Sequence, residues 1–448
     1  MNFVPSSITT FRFLDAAYDE NAAAARLRYG LDDKYLFTEE FRFPRAQAPA
    51  GAVQRAALQN AVKLLHLAAG VSYYKAALPP NITVEGSPLS PATAGFFEKL
   101  YRGGLAEFAH RNRLSLAGRA GFPADPAAAD RAHTVSLPRV TAVPLGGGKD
   151  SIVTLEALAA ADEPLLAICV GNHAPIAAVA AHSGLPLTVI ERRIDPLLLE
   201  LNRQGAYNGH IPISAIIAFA LVAGAILYGY DTIAISQERS ANVGSLITEQ
   251  GPVNHQYSKS LEFERDLRSL LAAHLIGIEY FSFLRPLSEL GICRLFASRC
   301  PRYLDVFTSC NRAFRLDRAA AQGLWCRDCP KCRFVFLALA PFVPKPRLLA
   351  AFGGNPLDDE SQLVGFEELL GLGGHKPFEC VGEVPESRAA FALAAEKAEW
   401  GADAVIKRLR ERLGERQLSD WRAYEDEALT PSAAHFLPKR YAETLHAF

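Results

Sequence analysis

Residues 143–151 read VPLGGGKDS, followed by the apolar run IVTLEALAA over 152–160. An apolar stretch that stops at Leu145, three glycines in a row and a helix-forming run from Lys149 onward describe a strand–turn–helix junction. Glycine lets the backbone turn tightly and approach a ligand with no Cβ in the way. The start of the helix adds unpaired N–H groups and the positive end of a dipole. Lys149 adds a full charge, and the sum is an anion site suited to phosphate. Two better-known phosphate loops do not match. The Walker loop needs four residues between its first glycine and Gly-Lys-Ser/Thr, and the dinucleotide fingerprint needs GxGxxG. A glycine-rich turn without a ligand is the competing reading. Asp150 fits two roles: a magnesium ligand beside substrate phosphates or a helix cap.

Outward from this junction, apolar runs alternate with helical segments. Residues 141–145, 165–170, 187–190, 232–236 and 280–284 are the predicted strands. This βαβ pattern predicts an α/β fold with a doubly wound parallel sheet over residues 136–345. Such sheets bind ligands beyond the carboxyl ends of their strands. Residues 1–135 read as an α+β domain, the expected seat of the larger substrate. There 9–14, 24–29 and 35–43 carry apolar residues at period two, with Arg12 between Phe11 and Phe13 and Arg42 between Phe41 and Phe43. Helices are predicted over 54–69 and 93–110. Residues 346–448 read as mainly helical, with Ser387 capping a helix in which Val405, Leu409 and Leu413 recur every four residues.

Composition narrows the function. Half of the 448 residues are apolar and 21% are charged, which excludes a wholly disordered chain. Lys plus Arg number 47 against 48 Asp plus Glu, so no basic excess indicates a nucleic-acid partner. The first twenty residues lack the basic segment of a secretory signal, which predicts a cytoplasmic protein. Residues 211–230 (IPISAIIAFALVAGAILYGY) carry no charge and could span a bilayer by length. They are rich in Ala and Gly, lack a Lys/Arg flank and run straight into the strand-like TIAIS. A helix buried on both sides has the same composition, so no membrane insertion is expected.

Eight cysteines in a reducing compartment point to thiols, catalysis or metal rather than disulfides. Cys326, Cys329 and Cys332 form CxxCxxC, three thiolates able to face one soft metal, and Cys310 lies sixteen residues upstream of the first. Zinc closes a tetrahedron with four such ligands, an iron–sulfur cluster uses the same number, and metal-free core or redox thiols are the third possibility. Cys169, Cys293, Cys300 and Cys380 have no partner spacing and read as core. Three polar islands stand out: YNGHIPIS (207–214), SQERSAN (236–242) and VNHQYSKS (253–260). The first two lie near predicted sheet-element ends. Together they supply His210, Glu238, Arg239, Asn242, His255, Tyr257 and Lys259 to one edge of the expected sheet.

GGGKDS resembles the SGGxDS loop of the PP-loop ATP pyrophosphatase superfamily, with Gly146 where serine is usual. The resemblance implies an adenine nucleotide alpha-hydrolase-like sheet, cleavage of ATP to AMP and pyrophosphate, and a pyrophosphate cradle of Gly146, Gly147, Gly148, Lys149, Asp150 and Ser151. TSC followed by WCRDCPKCR resembles the zinc site of 7-cyano-7-deazaguanine synthases, which implies structural zinc on Cys310, Cys326, Cys329 and Cys332. The order of all these segments resembles the UDP-N-acetylmuramoyl-L-alanyl-L-glutamate epimerase family over essentially the whole chain. That implies an ATP- and magnesium-dependent inversion of the terminal L-Glu of a UDP-MurNAc-dipeptide. Under this reading Lys149, Glu238, His255, Tyr257 and His210 are the catalytic candidates. Arg239, Asn242 and Lys259 are substrate ligands, and Asp150 holds magnesium. No motif marks the acid–base pair or the oligomeric state. The alternatives are another PP-loop enzyme, either deazaguanine synthase-like or amide-forming, and a zinc-bearing nucleic-acid module, which the neutral charge opposes.

Overall fold

The computed structural model describes residues 3–448 except 87, 172, 243, 245, 249–250, 315–322, 374–376, 378 and 380, and only the backbone of 246–248 and 251–253. Cys380 therefore lies outside the described residues. The strands are β1 (Thr10–Asp19), β2 (Ala24–Leu31), β3 (Tyr35–Arg42), β4 (Asn81–Val84), β5 (His133–Thr134), β6 (Thr141–Pro144), β7 (Leu165–Val170), β8 (Leu187–Arg193), β9 (Thr232–Ile235), β10 (Leu246–Thr248), β11 (Gly251–Val253), β12 (Leu275–Ile276) and β13 (Glu279–Ser282). Nine of them form one sheet in the order β13-β9-β6-β7-β8-β3-β2-β1-β4.

The first five strands in that order pair in parallel. The chain runs from β6 outward to β7 and β8, then returns to β9 and β13 on the other side. The order thus reverses between β6 and β9, and such a switch opens a crevice at the carboxyl ends. Successive residues of these strands face opposite cores. Ala142, Ile168, Ile190 and Ile233 join one cluster with the helices Ile213–Tyr228 and Ala52–Ala69. Val143, Ala167, Cys169, Ala234 and Phe281 join the other with Lys149–Ala160, Glu289–Arg299 and Pro330–Leu339. Burial on both faces explains why the strands read as continuous apolar runs.

The charge-free stretch becomes the buried helix Ile213–Tyr228, which packs against Ala52–Ala69. Among the described residues, no helix is long and apolar enough to cross a membrane. β1, β2 and β3 form the expected antiparallel sheet, with Phe11, Phe13, Phe41 and Phe43 fully buried. Within the nine-stranded sheet two pairings lay outside the sequence reading: β4 lies parallel to β1, and β3 pairs antiparallel with β8 through Glu40–Arg193, Phe41–Arg192 and Arg42–Glu191. The second joins the aminoterminal strands and the parallel block into one sheet. At this seam Arg192 Nε donates to the fully buried Glu39 Oε1 at 2.5 Å.

Two helix predictions need correction. The expected helix over 93–110 is two helices, Pro91–Gly104 and Ala106–Asn112, broken at Leu105. Gly103 and Gly104 weaken the helix there, and both are needed for close packing. A Cβ on Gly103 would sit 2.7 Å from the Tyr257 ring, and one on Gly104 would sit 2.5 Å from Pro212. Ser387 caps nothing: it lies inside Val384–Ala395, which starts after Glu383 with Pro385 in its first turn. Val405 and Leu409 belong to a separate helix, Ala404–Arg422, interrupted at Gly414 with φ 75°.

Candidate active site

A cleft of about 610 Å³ opens at the carboxyl ends of β6, β7, β8 and β9. Its floor is the glycine loop. Gly147 has φ +78°, a conformation that favours glycine. The Gly146 N–H donates to Ser151 Oγ at 3.2 Å, and that hydroxyl donates to the Gly148 carbonyl at 3.2 Å. Ser151 thus pins the loop to the first turn of Lys149–Ala160.

Lys149 is 1% exposed, and its ammonium bonds both Asp150 and Glu289. Burial alone would lower its pKa, but the two carboxylates outweigh burial and raise it. Glu289 opens the helix Glu289–Arg299, next to its capping residue Ser288. Burial pushes its pKa up, yet Lys149 and Lys331 pull it down to about 2. Lys331 Nζ stands 3.6 Å from Glu289 Oε1. Glu238, 5% exposed, also lines the cleft. Burial raises its pKa, the charge of Glu289 adds to the rise, and Lys259 opposes it.

The cysteine segments form an adjoining wall. The Thr308 N–H donates to the Gly147 carbonyl at 2.9 Å. Ser309 crowds the loop so closely that a Cβ on Gly148 would lie 2.7 Å from its Oγ. Just beyond, the sulfurs of Cys310, Cys326, Cys329 and Cys332 lie within 4.8 Å of one another, so the cluster could hold a metal ion. Cys329 and Cys332 are 3.5 Å apart, and Cys326 and Cys332 3.7 Å. Cys169, Cys293 and Cys300 are buried in the apolar core, as their isolated spacing suggested.

The predicted residues divide into groups. Gly146, Gly148, Asp150, Ser151, Glu238 and Lys259 line the cleft. His210 and His255 form an adjoining pair, with ring centroids 6.4 Å apart. Burial, with help from His255 and Lys259, lowers the His210 pKa to about 4, and Glu107 Oε2 lies 3.6 Å from its Nδ1. Tyr257 and Asn242 line a separate depression with Gly103 and Arg265. Burial raises the Tyr257 pKa. Asn242 Oδ1 accepts the Leu261 N–H at 2.7 Å. Arg239 turns to the carboxyl end of Tyr424–Leu429, where its guanidinium donates to the carbonyls of Glu427 at 3.3 Å and Thr430 at 3.1 Å.

Sequence reasoning missed Glu289, Lys331 and Arg285. Arg285 is fully buried and holds the site from beneath. It donates to Glu264 Oε2 at 3.1 Å, to the Glu238 carbonyl at 2.8 Å and to the Lys259 carbonyl at 2.6 Å. Lys331 had a visible signal, since it sits between Cys329 and Cys332. Glu289 reads from sequence as an ordinary first-turn acid beside a cap. Arg285 has no local signal.

Comparison with known proteins matches the sequence of the chain. The profile of the MurL N-terminal domain matches residues 2–283, and that of the MurL C-terminal domain matches 306–423. Three relatives carry the name UDP-N-acetyl-alpha-D-muramoyl-L-alanyl-L-glutamate epimerase. The protein from Xanthomonas oryzae pv. oryzae is 46% identical over 91% of this chain and 90% of its own. That from a Micromonospora species is 44% identical over 97% of both chains. The Salinispora tropica protein is 43% identical over 97% of this chain and 95% of its own.

Proposed function

This chain belongs to the MurL family, and from that premise we propose that it inverts the terminal L-Glu of UDP-MurNAc-L-Ala-L-Glu to D-Glu for peptidoglycan synthesis, in the cytoplasm and at the expense of ATP. The observation that carries the reading is the match over nearly the whole chain to epimerases of that name. The glycine loop at the switch point supports a PP-loop type of nucleotide site.

The two glutamate diastereomers have similar free energies, so ATP serves the rate. An ionised α-carboxylate disfavours a carbanion on the adjacent carbon. Attack of a carboxylate oxygen on the α-phosphorus expels pyrophosphate and removes that charge. The amides of Gly147 and Gly148, with Lys149, would hold the departing pyrophosphate, the Gly146 N–H being taken by Ser151 Oγ. Asp150, half-buried at the loop, fits a magnesium ligand shared with substrate phosphates, and the ion would supply charge neutralisation there. The sulfur spacings of 3.5 and 3.7 Å fit zinc, whose bonds of about 2.3 Å give a tetrahedron edge of about 3.8 Å. A closed Cys₄ site of this kind is structural.

With the carboxylate masked, a base removes the Cα proton and a second group returns one from the opposite face. Glu238, whose burial makes it a stronger base, serves from the cleft. The His210–His255 pair serves from the neighbouring side, with His210 neutral at pH 7. Lys259, within electrostatic reach of both Glu238 and His210, suits the substrate carboxylate. Tyr257, Asn242 and Arg239 fall outside this scheme. Hydrolysis of the acyl-adenylate then releases product and AMP.

The test is AMP and pyrophosphate release with ATP and magnesium, with and without UDP-MurNAc-L-Ala-L-Glu. Release that depends on the dipeptide substrate, with D-Glu recovered after acid hydrolysis, is expected. Release without inversion would move the chain to another acyl acceptor, such as an amide-forming reaction.

A further inference from the structure

We propose that Lys331 is a second phosphate-binding ammonium, presented to the cleft by the cysteine cluster in which it sits; this rests on the reading of the cleft as an ATP site. Lys331 lies between Cys329 and Cys332 at the start of the helix Pro330–Leu339. It lines the same cleft as the glycine loop and reaches Glu289 Oε1 at 3.6 Å. The other oxygen of Glu289 is taken by Lys149. One carboxylate therefore bridges two ammonium groups, one from the loop and one from the cysteine wall.

Charge balance gives Lys331 its task. Lys149 is paired with both Asp150 and Glu289, so these three groups alone carry a net negative charge. A triphosphate would be repelled by such a cluster. Lys331 cancels that charge from the cysteine segment beside the loop. When the bond between the α-phosphorus and its bridging oxygen breaks, the electron pair leaves on pyrophosphate. An ammonium at Lys331 faces that growing charge. It bears on substrate directly and is therefore a catalytic residue.

The cysteines explain how the ammonium is held. Cys310, Cys326, Cys329 and Cys332 converge on one point. Two segments of the wall leave from that point: Thr308–Ser309, closed on Gly147 and Gly148, and Pro330–Lys331. A metal there fixes the backbone on either side of Lys331 without touching the nucleotide. It makes the cysteine cluster a positioning device for the phosphate site.

The test is calorimetric titration of inorganic pyrophosphate with magnesium into the metal-loaded full chain and its Lys331→Met, Lys331→Gln and Lys331→Arg variants, with metal content measured for each. We expect Met and Gln to weaken pyrophosphate binding about 10- to 100-fold, in line with loss of one charge-assisted contact, while metal content stays at the wild-type level. Arginine should restore most of the affinity. Stripping the metal from the folded wild-type protein should weaken binding by a similar factor. Pyrophosphate affinity within twofold of wild type in metal-replete Met and Gln variants would overturn the role of Lys331 and leave the ATP reading standing. Unchanged affinity after metal removal would overturn the role of the cluster. A wild-type protein that binds neither ATP nor pyrophosphate would remove the premise itself.

Discussion

Two buried ion pairs lie close together at the end of this sheet, and they differ in what surrounds them. Arg285 and Glu264 are both fully buried. Every nitrogen of that guanidinium has a protein acceptor: Nε bonds Glu264, Nη1 the Glu238 carbonyl, and Nη2 the Lys259 carbonyl and Ser282. Lys149 and Glu289 are buried to the same degree. Their surroundings instead hold a second carboxylate, Asp150, a second ammonium, Lys331, and an open cleft. The first pair has its charge and hydrogen bonds satisfied by protein, so it serves as scaffold. The second is a four-membered cluster of two ammonium and two carboxylate groups beside a cavity, the arrangement in which a charged ligand could exchange with a protein partner. Burial of a charge does not mark a site. What marks it is a surplus of charged partners beside open space.

The largest expected effect tests the scaffold. Arg285→Met leaves Glu264 charged and buried, which should cost about 3–5 kcal/mol of stability. Urea unfolding measures this, and a loss below about 1 kcal/mol would erase the distinction between the pairs. Lys149→Met sharpens the other side. Lys331 and the open cleft offset part of the charge left on Asp150 and Glu289, so stability should fall by less than in Arg285→Met, about 1–3 kcal/mol, while kcat falls about 10²- to 10³-fold, as when an oxyanion donor is lost. A large stability loss with little change in kcat would reverse the assignment.

The smallest effect concerns a satisfied buried group far from the cleft. His66 Nε2 bonds the Arg28 carbonyl at 2.8 Å, and burial lowers the ring's pKa to about 4. Between pH 6.5 and 4 the unfolded chain binds the proton and the folded chain does not, so stability falls as pH drops through that window. The full difference is about 3 kcal/mol. His66→Phe should flatten the pH dependence of unfolding free energy there by up to that amount and leave the pH profile of kcat unchanged. A shifted kcat profile would tie His66 to the chemistry.

The parallel half of the fold was legible because its signals are local. β6, β7, β8, β9 and β13 overlap the predicted strands, since each carries a short apolar run, and in β6, β9 and β13 that run is largely buried. The strand–turn–helix junction at the glycines and the convergence of Cys310 with Cys326, Cys329 and Cys332 were legible for a similar reason: their signals lie within about twenty residues of one another. The β3–β8 seam was not. It joins residues 150 apart through Glu40, Arg42, Glu191 and Arg193, which read as solvated strand ends. Lys149 was readable as a charge, but its partner Glu289 is 140 residues away, and no periodicity carries a pairing that long. Gly103 and Gly104 broke a helix because Tyr257 and Pro212, from other segments, need their space. In each case the deciding partner is distant in sequence.

In the proposed mechanism a masked carboxylate lets the Cα proton leave and return. The most direct test runs the reaction in heavy water with ATP, magnesium and UDP-MurNAc-L-Ala-L-Glu, then examines the glutamate of the product by mass spectrometry and NMR. D-Glu with one solvent deuterium at Cα, formed along with AMP, is the expected product. D-Glu formed without that label would contradict the mechanism.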